Sequence, residues 1–260
     1  MNNDLLFYAD IWKSASDTGL DLLNCLLLIR YLCATPEAEQ ACNSALTYRD
    51  YEALWHMIVE ESYKRDGEML SVIKHAIDQT APYLPFTPDL SRYSKKPDAV
   101  DEDTLRSLVQ RLTFLPADRN THFSLFEYVQ RAVCDSSRSS GDFYTPSQIV
   151  QWMTELLEID LDGSVYDPCC GSGAMLCGAA LSCPGKKLEL YGQSPDSKLV
   201  SICQMNLFLR GLSANLGQHA ANTLLEDIHS GHHFDYILAN EGVIYGLNTG
   251  KARNIKEFAA

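Results

Sequence analysis

The sequence has few basic residues for its length of 260 residues. It contains 21 Lys and Arg against 34 Asp and Glu, which gives a formal net charge of −13. The acid excess is spread evenly, because residues 1–140 carry 14 basic and 21 acidic side chains and residues 141–260 carry 7 and 13. An acidic chain repels the phosphate backbone of nucleic acids. Neither half is therefore a basic nucleic-acid-binding module, and contact with DNA would need a basic partner or a local positive groove.

The sequence also lacks a long uncharged hydrophobic segment. Residues Met1–Asp4 have no positive charge and are not followed by the apolar stretch of a signal peptide. The most apolar run, Leu20–Cys33, contains Asp21 and Arg30 and is shorter than the ~20 residues that span a bilayer. The nine cysteines are an odd number in a chain without a secretory signal, so we expect reduced thiols. These features predict a soluble, cytoplasmic protein without membrane contact.

Two patterns of periodicity divide the chain. Apolar residues at helical spacing predict a helical N-terminal domain over residues 1–135, and the Ser-rich stretch 134–141 is the best candidate for a linker. From residue 141 to residue 260, short apolar strands alternate with helices, which predicts an α/β domain with a mostly parallel sheet. The predicted strands are residues 164–167, 187–192 and 234–239, with a weaker one near 216–220.

Local patterns predict the surroundings of individual side chains. We expect an amphipathic helical run over Tyr51–Ile77, and a helix capped by Thr145 with Pro146 at its first position. The stretch His229–His233 is expected to form a solvated turn rather than a metal site. Four neighbouring cysteines lack paired Cys-x-x-Cys spacing, which favours small core thiols over zinc ligands: Cys169, Cys170, Cys177 and Cys183. Three tryptophans fall on helical faces and are expected in the core: Trp12, Trp55 and Trp152.

The most informative segment is the Gly-rich turn Asp167–Gly173, which follows a predicted strand and opens a predicted helix. Its glycines let the backbone approach a ligand, and the helix start offers unpaired N–H groups. Asp167 can accept hydrogen bonds from a cationic amine, which suits a zwitterionic cofactor such as S-adenosylmethionine. A Gly-rich turn without a ligand remains the alternative. Leu176 stands where the dinucleotide fingerprint has its third glycine, and a Gly-Lys-Ser/Thr phosphate loop is absent from the sequence.

Several segments together resemble the N6-adenine DNA methyltransferases, in particular the modification subunit of type I restriction systems. Residues 165–176 (VYDPCCGSGAML) resemble motif I of that family, and residues 141–146 (GDFYTP) resemble a segment that lies against its cofactor. Residues 191–193 (YGQ) and 221–224 (ANTL) resemble its later cofactor contacts, and residues 234–240 (FDYILAN) resemble the strand that enters its catalytic motif. The order of these motifs makes a chance match improbable.

The resemblance implies a helical N-terminal domain followed by a truncated Rossmann-like methyltransferase domain that uses S-adenosylmethionine and no metal. It implies that Asn240 is the catalytic residue, and that DNA is reached only through a separate specificity subunit. The implied cofactor contacts are Phe143, Thr145, Asp167, Cys169, Gly171, Gly173, Gln193, Asp196 and Asn222.

Three departures from the family pattern predict impaired chemistry. Ser194 replaces the acid that holds the ribose hydroxyls, so we expect weak cofactor binding. Residues 240–243 read Asn-Glu-Gly-Val where the family has Asn-Pro-Pro and an aromatic ring, so the stiff loop and the ring that stacks on adenine are lost. The sequence also ends about 20 residues after Asn240, before the family's remaining strands. We expect a homodimer contact or a partner of the modification complex to cover the sheet edge left by those strands.

These departures leave three interpretations open. The first is a methyltransferase with weak or lost activity. The second is a non-catalytic interaction protein that docks on, or competes with, a full-length modification or specificity subunit. The third is a gene remnant without function.

Overall fold

The structure, a computed structural model, describes residues 17–34, 46–66, 68–84, 101–114, 116, 118, 121–122, 124–127 and 145–240. The chain divides into two compact units, Met1–Ser136 and Ser137–Ala260. This division falls inside the Ser-rich stretch 134–141. The domain bounds 1–135 and 141–260 stay predictions.

The described elements of the N-terminal unit are helical. They are α1 (Asp17–Ala34), α2 (Tyr48–Ser62), α3 (Met69–Thr80), a 3₁₀ turn (Ala81–Tyr83) and α4 (Glu102–Thr113). The amphipathic run over residues 51–77 is interrupted between α2 and α3. Glu61, near the end of α2, accepts the N–H of Glu68 at 2.8 Å, and Glu102 accepts the N–H of Met69 at 2.9 Å. These carboxylates satisfy main-chain donors at the start of α3 that a helix leaves unpaired.

Arg30 ties three helices of this unit together. Its guanidinium lies 5.7 Å from the centre of the Trp55 ring on α2, and its Nε donates to the carbonyl oxygen of Leu112 on α4 at 3.2 Å. Burial lowers the pKa of Arg30. Trp55 is buried, as expected, whereas Trp152 of the second unit is 61% exposed, so its core assignment was wrong. Trp12 lies outside the described residues, and no helix in the described ranges is long and apolar enough to cross a membrane.

The C-terminal unit alternates helices and strands, which confirms the predicted α/β class. Its elements are α5 (Ser147–Leu156), β1 (Gly163–Asp167), α6 (Ala174–Ser182), β2 (Leu188–Gly192), α7 (Ser197–Leu209), β3 (Ala214–Asn215) and β4 (Tyr236–Ile237). The described strands form one sheet in the order β3-β2-β1-β4, and every neighbouring pair is parallel.

The strand order creates a switch point beside β1. The chain moves from β1 outward through β2 to β3, and β4 then pairs with the opposite side of β1. Asp167 at the end of β1 is in register with Gly192 of β2, and Tyr166 is in register with Ile237 of β4. In parallel α/β sheets, ligands bind outside the carboxyl ends of the strands where the order reverses. The segments that follow β1, β2 and β4 therefore surround the expected binding crevice.

The two faces of the sheet differ in character. One face builds the apolar core with residues from α5, α6 and α7, and it includes Val165 of β1, Leu190 of β2 and Leu238, which follows β4. Aromatic rings mark the other face, where the ring centres of Tyr166 and Phe234 lie 4.5 Å apart. His229 joins this aromatic group, because it is 4% exposed and its Nε2 lies 3.0 Å from the carbonyl oxygen of Gly192. The predicted solvated turn at 229–233 is therefore wrong for His229.

Three local expectations need correction. Thr145 does not cap α5, because Pro146 occupies the N-cap position. The weak strand lies at Ala214–Asn215 rather than at 216–220, since Gly217 with φ +75° turns the chain away. The last strand pairs over two residues only, and Ile237 within it is 57% exposed instead of buried.

Candidate functional site

The Gly-rich turn between β1 and α6 depends on two glycines in left-handed conformations. Gly171 has φ +50° and Gly173 has φ +82°, a region that side chains with a Cβ rarely adopt. Gly173 also lies directly against Cys203 of α7, since a Cβ at this position would stand 2.5 Å from the Cys203 sulfur. The absence of a side chain at Gly173 thus lets α7 pack against the turn and fixes where α6 begins.

Asp167 ends β1 as a deeply buried acid. Its side chain is 1% exposed, and its Oδ1 accepts the main-chain N–H of Cys169 at 3.0 Å. Burial raises the pKa of Asp167 to about 7. A carboxyl group in this state is easily protonated near neutral pH, and it gains from a cationic group placed beside it. The chemistry of this acid therefore fits a ligand with a protonated amine.

The cysteines around the turn are structural. Cys170, Cys177 and Cys203 are buried in the core below the sheet end, and Cys169 is half-buried. A hydrogen bond with Cys170, together with burial, raises the pKa of the Cys203 thiol well above its usual value. The Cys203 thiol therefore stays protonated and behaves as a small apolar side chain. Among the described residues, no group of three or more His, Cys, Asp or Glu could hold a metal ion.

The segment after β2 carries polar residues that bond mainly to the protein itself. Gln193 is fully buried, and its amide bonds with the Tyr166 hydroxyl and the Ala221 carbonyl. Ser194 is 2% exposed, and its Oγ accepts the N–H of Asp196 at 3.4 Å. Asp196 caps α7, because its Oδ1 accepts the N–H of Lys198 at 2.8 Å.

Residues 221–228 form a turn, called the 221–228 turn below, that lies against the Gly-rich turn. Asn222 organises it, since its side-chain oxygen accepts the N–H of Leu224 and its carbonyl accepts that of Glu226. The Thr223 hydroxyl donates to the carbonyl oxygen of Pro168 in the Gly-rich turn. Asn222 and Asp167, predicted from separate motifs, therefore belong to neighbouring loops at one end of the sheet.

Asn240 and Thr145 are joined by a direct hydrogen bond. The Asn240 Nδ2 donates to the Thr145 Oγ1 at 3.1 Å, although 95 residues separate them. Thr145 is buried and precedes α5, whereas Asn240 is exposed and follows β4. This bond brings together a predicted cofactor contact and the predicted catalytic residue. Phe143, from the same predicted segment as Thr145, lies outside the described residues.

Two supporting residues were not among the predicted site residues, although both lie in segments that resemble the family. Thr223 holds the 221–228 turn, and Asn206 of α7 donates from its Nδ2 to the carbonyl oxygen of Ser172 at 2.9 Å. Asn206 interrupts an apolar helical stretch between Met205 and Leu207. A polar residue at such a position was the available signal that this helix contacts a polar turn.

The parallel sheet with a Gly-rich turn after β1 defines a Rossmann-like fold. The same fold occurs in the type I restriction-modification methyltransferase subunit of Streptococcus thermophilus, with a TM-score of 0.66, 20% sequence identity and coverage of 92% of this chain and 62% of that one. A modification subunit of a putative type I restriction enzyme from Vibrio vulnificus matches with a TM-score of 0.55 and 19% identity, over 91% and 59% of the two chains. A sequence model described as N-6 DNA Methylase matches residues 118–255, more than half of the sequence. The chain belongs to this N-6 DNA methylase family.

Curated relatives agree with this assignment. The chain is 27% identical over 161 residues to the type I restriction enzyme HindI methylase subunit of Haemophilus influenzae. This match covers 55% of this chain and 36% of the relative. It is 25% identical over 225 residues to the type I restriction enzyme MjaVII methylase subunit of Methanocaldococcus jannaschii. This second match covers 80% of this chain and 37% of the relative. In both matches the chain thus spans little more than a third of its relative's length.

The contact between Gly173 and Cys203 can be tested by comparing two glycines. Gly173 and Gly185 both have positive φ, +82° and +87°, but a Cβ at Gly185 would meet nothing within 4 Å. Both Gly→Ala variants incur the backbone strain of about 1–2 kcal/mol. We expect Gly173→Ala to lower the free energy of unfolding by about 1–3 kcal/mol more than Gly185→Ala, because it also overpacks the turn. Urea denaturation measures both, and equal losses would show that the Cys203 contact adjusts freely.

The buried acid predicts an unusual dependence of stability on pH. Because the pKa of Asp167 is about 7 in the folded protein and near 3.8 when unfolded, the folded state binds more protons between these values. Its contribution to stability therefore falls as pH rises from about 4 to 7, and the full penalty applies above 7. We expect Asp167→Asn, which keeps an acceptor for the Cys169 N–H, to stabilise the protein at pH 8 more than at pH 5.

Asp235 provides the opposite control for this measurement. Hydrogen bonds from the N–H and hydroxyl of Ser164 lower its pKa. Its stabilising contribution is present above the unfolded pKa and is lost as pH falls through the lower folded value. In thermal melts, the stabilising effect of Asp167→Asn should therefore grow between pH 5 and pH 8, whereas the destabilising effect of Asp235→Asn should stay constant over that range and shrink only below the unfolded pKa of about 3.8. Parallel curves for the two variants between pH 5 and pH 8 would contradict the burial of Asp167.

Proposed function

We propose that this chain forms the S-adenosylmethionine-binding part of an adenine-N6 DNA methyltransferase of the type I kind, and that its own methyl transfer is weak or lost. The observation that carries the proposal is the placement of Asp167, the Gly-rich turn and the Thr145–Asn240 pair around one switch point. Membership of the N-6 DNA methylase family and the methylase subunits among its relatives support the same class.

The residues present fit this cofactor. The buried Asp167 accepts a cationic amine, and Gly171 and Gly173 leave the backbone of the turn open to a close approach. Asn222, in the neighbouring turn, is the proposed contact for the adenine ring, and Cys169 and Thr145 border the same crevice. Phe143 and Asp196 complete the proposed set, while the bonds of Gln193 within the protein suit a supporting role. When bound, the cofactor supplies the methyl group for transfer.

The proposed loss of activity rests on the sequence that follows β4. Asn240 retains the amide that would accept hydrogens from the target amine. Glu241, Gly242 and Val243 supply neither the stiff backbone nor the aromatic ring that captures a flipped base, and they lie outside the described residues. Stacking of a base on an aromatic side chain is worth about 1–3 kcal/mol. Base capture is therefore the step that this chain performs least well.

Recognition of DNA in this proposal belongs to a specificity subunit. The net charge of −13 opposes direct binding to the DNA backbone. The chain would act in the cytoplasm and meet DNA through that basic partner.

The binding test is calorimetric titration with S-adenosylmethionine. We expect weak binding, since loss of the charged ribose partner at Ser194 costs about 1.5–3 kcal/mol, or roughly 10- to 150-fold in affinity. Asp167→Asn should weaken binding about tenfold or more, because the variant keeps the fold but removes the charge. Asp160→Asn is the matched control, since Asp160 is exposed and lies before β1. Equal affinities of all three proteins would refute the proposed pocket.

Transfer is measured with labelled cofactor and unmethylated DNA, with a specificity subunit added. We expect no detectable label in DNA. Robust transfer that disappears in Asn240→Ala would contradict the loss of activity while confirming the site.

A second candidate function, docking without catalysis, is favoured by the exposed side of β4. This strand stands last in the described strand order, and Ile237 is 57% exposed. Unpaired strand edges with apolar side chains pair readily with another chain. We propose that a second copy or a subunit of the modification complex covers this edge. Ile237→Lys should then lower the associated mass seen by light scattering, whereas Leu225→Lys, at an equally exposed loop position, should not.

A further inference from the structure

Gln193 uses its whole side-chain amide inside the protein. Its Oε1 accepts two hydrogen bonds, from the Tyr166 hydroxyl at 3.2 Å and from the N–H of Ile228 at 3.3 Å. Its Nε2 donates to the carbonyl oxygen of Ala221 at 3.3 Å and to that of Glu226. An amide offers two donor hydrogens and two acceptor positions, so these four bonds use its full capacity. The side chain therefore has no hydrogen-bonding group left for a ligand.

These bonds join segments that are distant in sequence. Tyr166 belongs to β1, and Ala221, Glu226 and Ile228 span the 221–228 turn from its first residue to its last. The main chain of Gln193 adds to the connection. Its N–H donates to the carbonyl of Asp167 at 3.1 Å, and its carbonyl accepts the N–H of Cys170 at 2.9 Å. One residue thus links the end of β1, the Gly-rich turn and the 221–228 turn.

The chemistry of the four partners requires an amide of this length. Both main-chain carbonyls need a donor, and the Ile228 N–H and the Tyr166 hydroxyl need an acceptor. Burial raises the pKa of Tyr166 to about 12, so its hydroxyl keeps the proton that it donates. A glutamate side chain would face two carbonyl oxygens with a negative charge, and an apolar side chain would remove all four of these hydrogen bonds, two of which are buried.

We propose that Gln193 is a positioning residue that holds the 221–228 turn against the Gly-rich turn, and thereby sets the place of Asn222 in the cofactor pocket. The inference rests on the proposed function for the identity of the ligand. In this arrangement Asp167 and the glycines receive the amino-acid end of the cofactor, Asn222 receives the adenine end, and Gln193 fixes the distance between the two loops without touching either end.

Hydrogen exchange on the full chain, measured without ligand, tests whether Gln193 holds the 221–228 turn in place. We expect Gln193→Met to raise the exchange rate of the main-chain amides in residues 221–228 at least tenfold, and to leave the amides of α6 unchanged. Gln218→Met is the matched control at an exposed position shortly before the turn. Gln193→Glu provides a second variant of the same length. Unchanged exchange in the 221–228 turn, or faster exchange across the whole unit, would overturn the proposal.

Titration with S-adenosylhomocysteine and with adenosine then tests the effect on the pocket. We expect Gln193→Met to weaken both ligands by a similar factor, about tenfold or more, because both use the adenine contact. Unaltered affinity beside faster exchange would show that the turn does not position the ligand, and would overturn the proposal. If the wild-type chain binds neither ligand, the proposed function fails, and the exchange measurement still decides whether Gln193 holds the turn.

Discussion

Parallel pairing of β1 with β2 on one side and β4 on the other is the interaction on which the C-terminal unit depends. The pairing brings Asp167, which ends β1, Gln193, which follows β2, and Asn240, which follows β4, to the same end of the sheet. It also places the switch point of the strand order beside β1. Without this register, the Gly-rich turn would be an ordinary strand-to-helix connection with no opposing residues.

Side chains behind the crevice hold its loops with hydrogen bonds rather than with ion pairs. Asn206 holds Ser172, Thr223 holds Pro168, and Gln193 holds the 221–228 turn. Neutral bonds of this kind leave Asp167 as a buried acid whose pKa is raised to about 7. In the proposed function, the cationic amine of the cofactor would offset the free-energy cost of burying this acid.

The family resemblance implies both cofactor binding and capture of the target base, and these two proposed steps use different segments of the chain. Most of the proposed cofactor contacts lie at the end of β1, in the Gly-rich turn, in the 221–228 turn and beside α7, which the structure describes. The proposed capture of the target base would use the residues after Asn240, where the sequence departs from the family pattern. In the proposed function, a chain can keep the first step and lose the second, because the two sets of residues lie in different segments and the Thr145–Asn240 bond joins them.

The sequence by itself was enough to predict the α/β class, the helices, the strands β1 and β2 within a residue of their bounds, and the family. These features follow from local periodicity and from motifs in which each residue has a direct local role. It was also enough to identify Asp167, Gly173 and Asn240 as candidates. It misplaced β3 and overextended β4, because two-residue strands leave almost no periodic signal.

Only the tertiary structure decided what several polar residues do. Thr145 is a residue type that is common at helix caps, but here it accepts a hydrogen bond from Asn240, which lies 95 residues away in sequence. Gln193 lies in a motif associated with cofactor contact, yet its side-chain amide makes its hydrogen bonds to other residues of the protein. His229 resembled part of a solvated turn but is buried among aromatic rings. A polar side chain can bond to many partners, and its choice depends on which distant segments the sheet brings within reach.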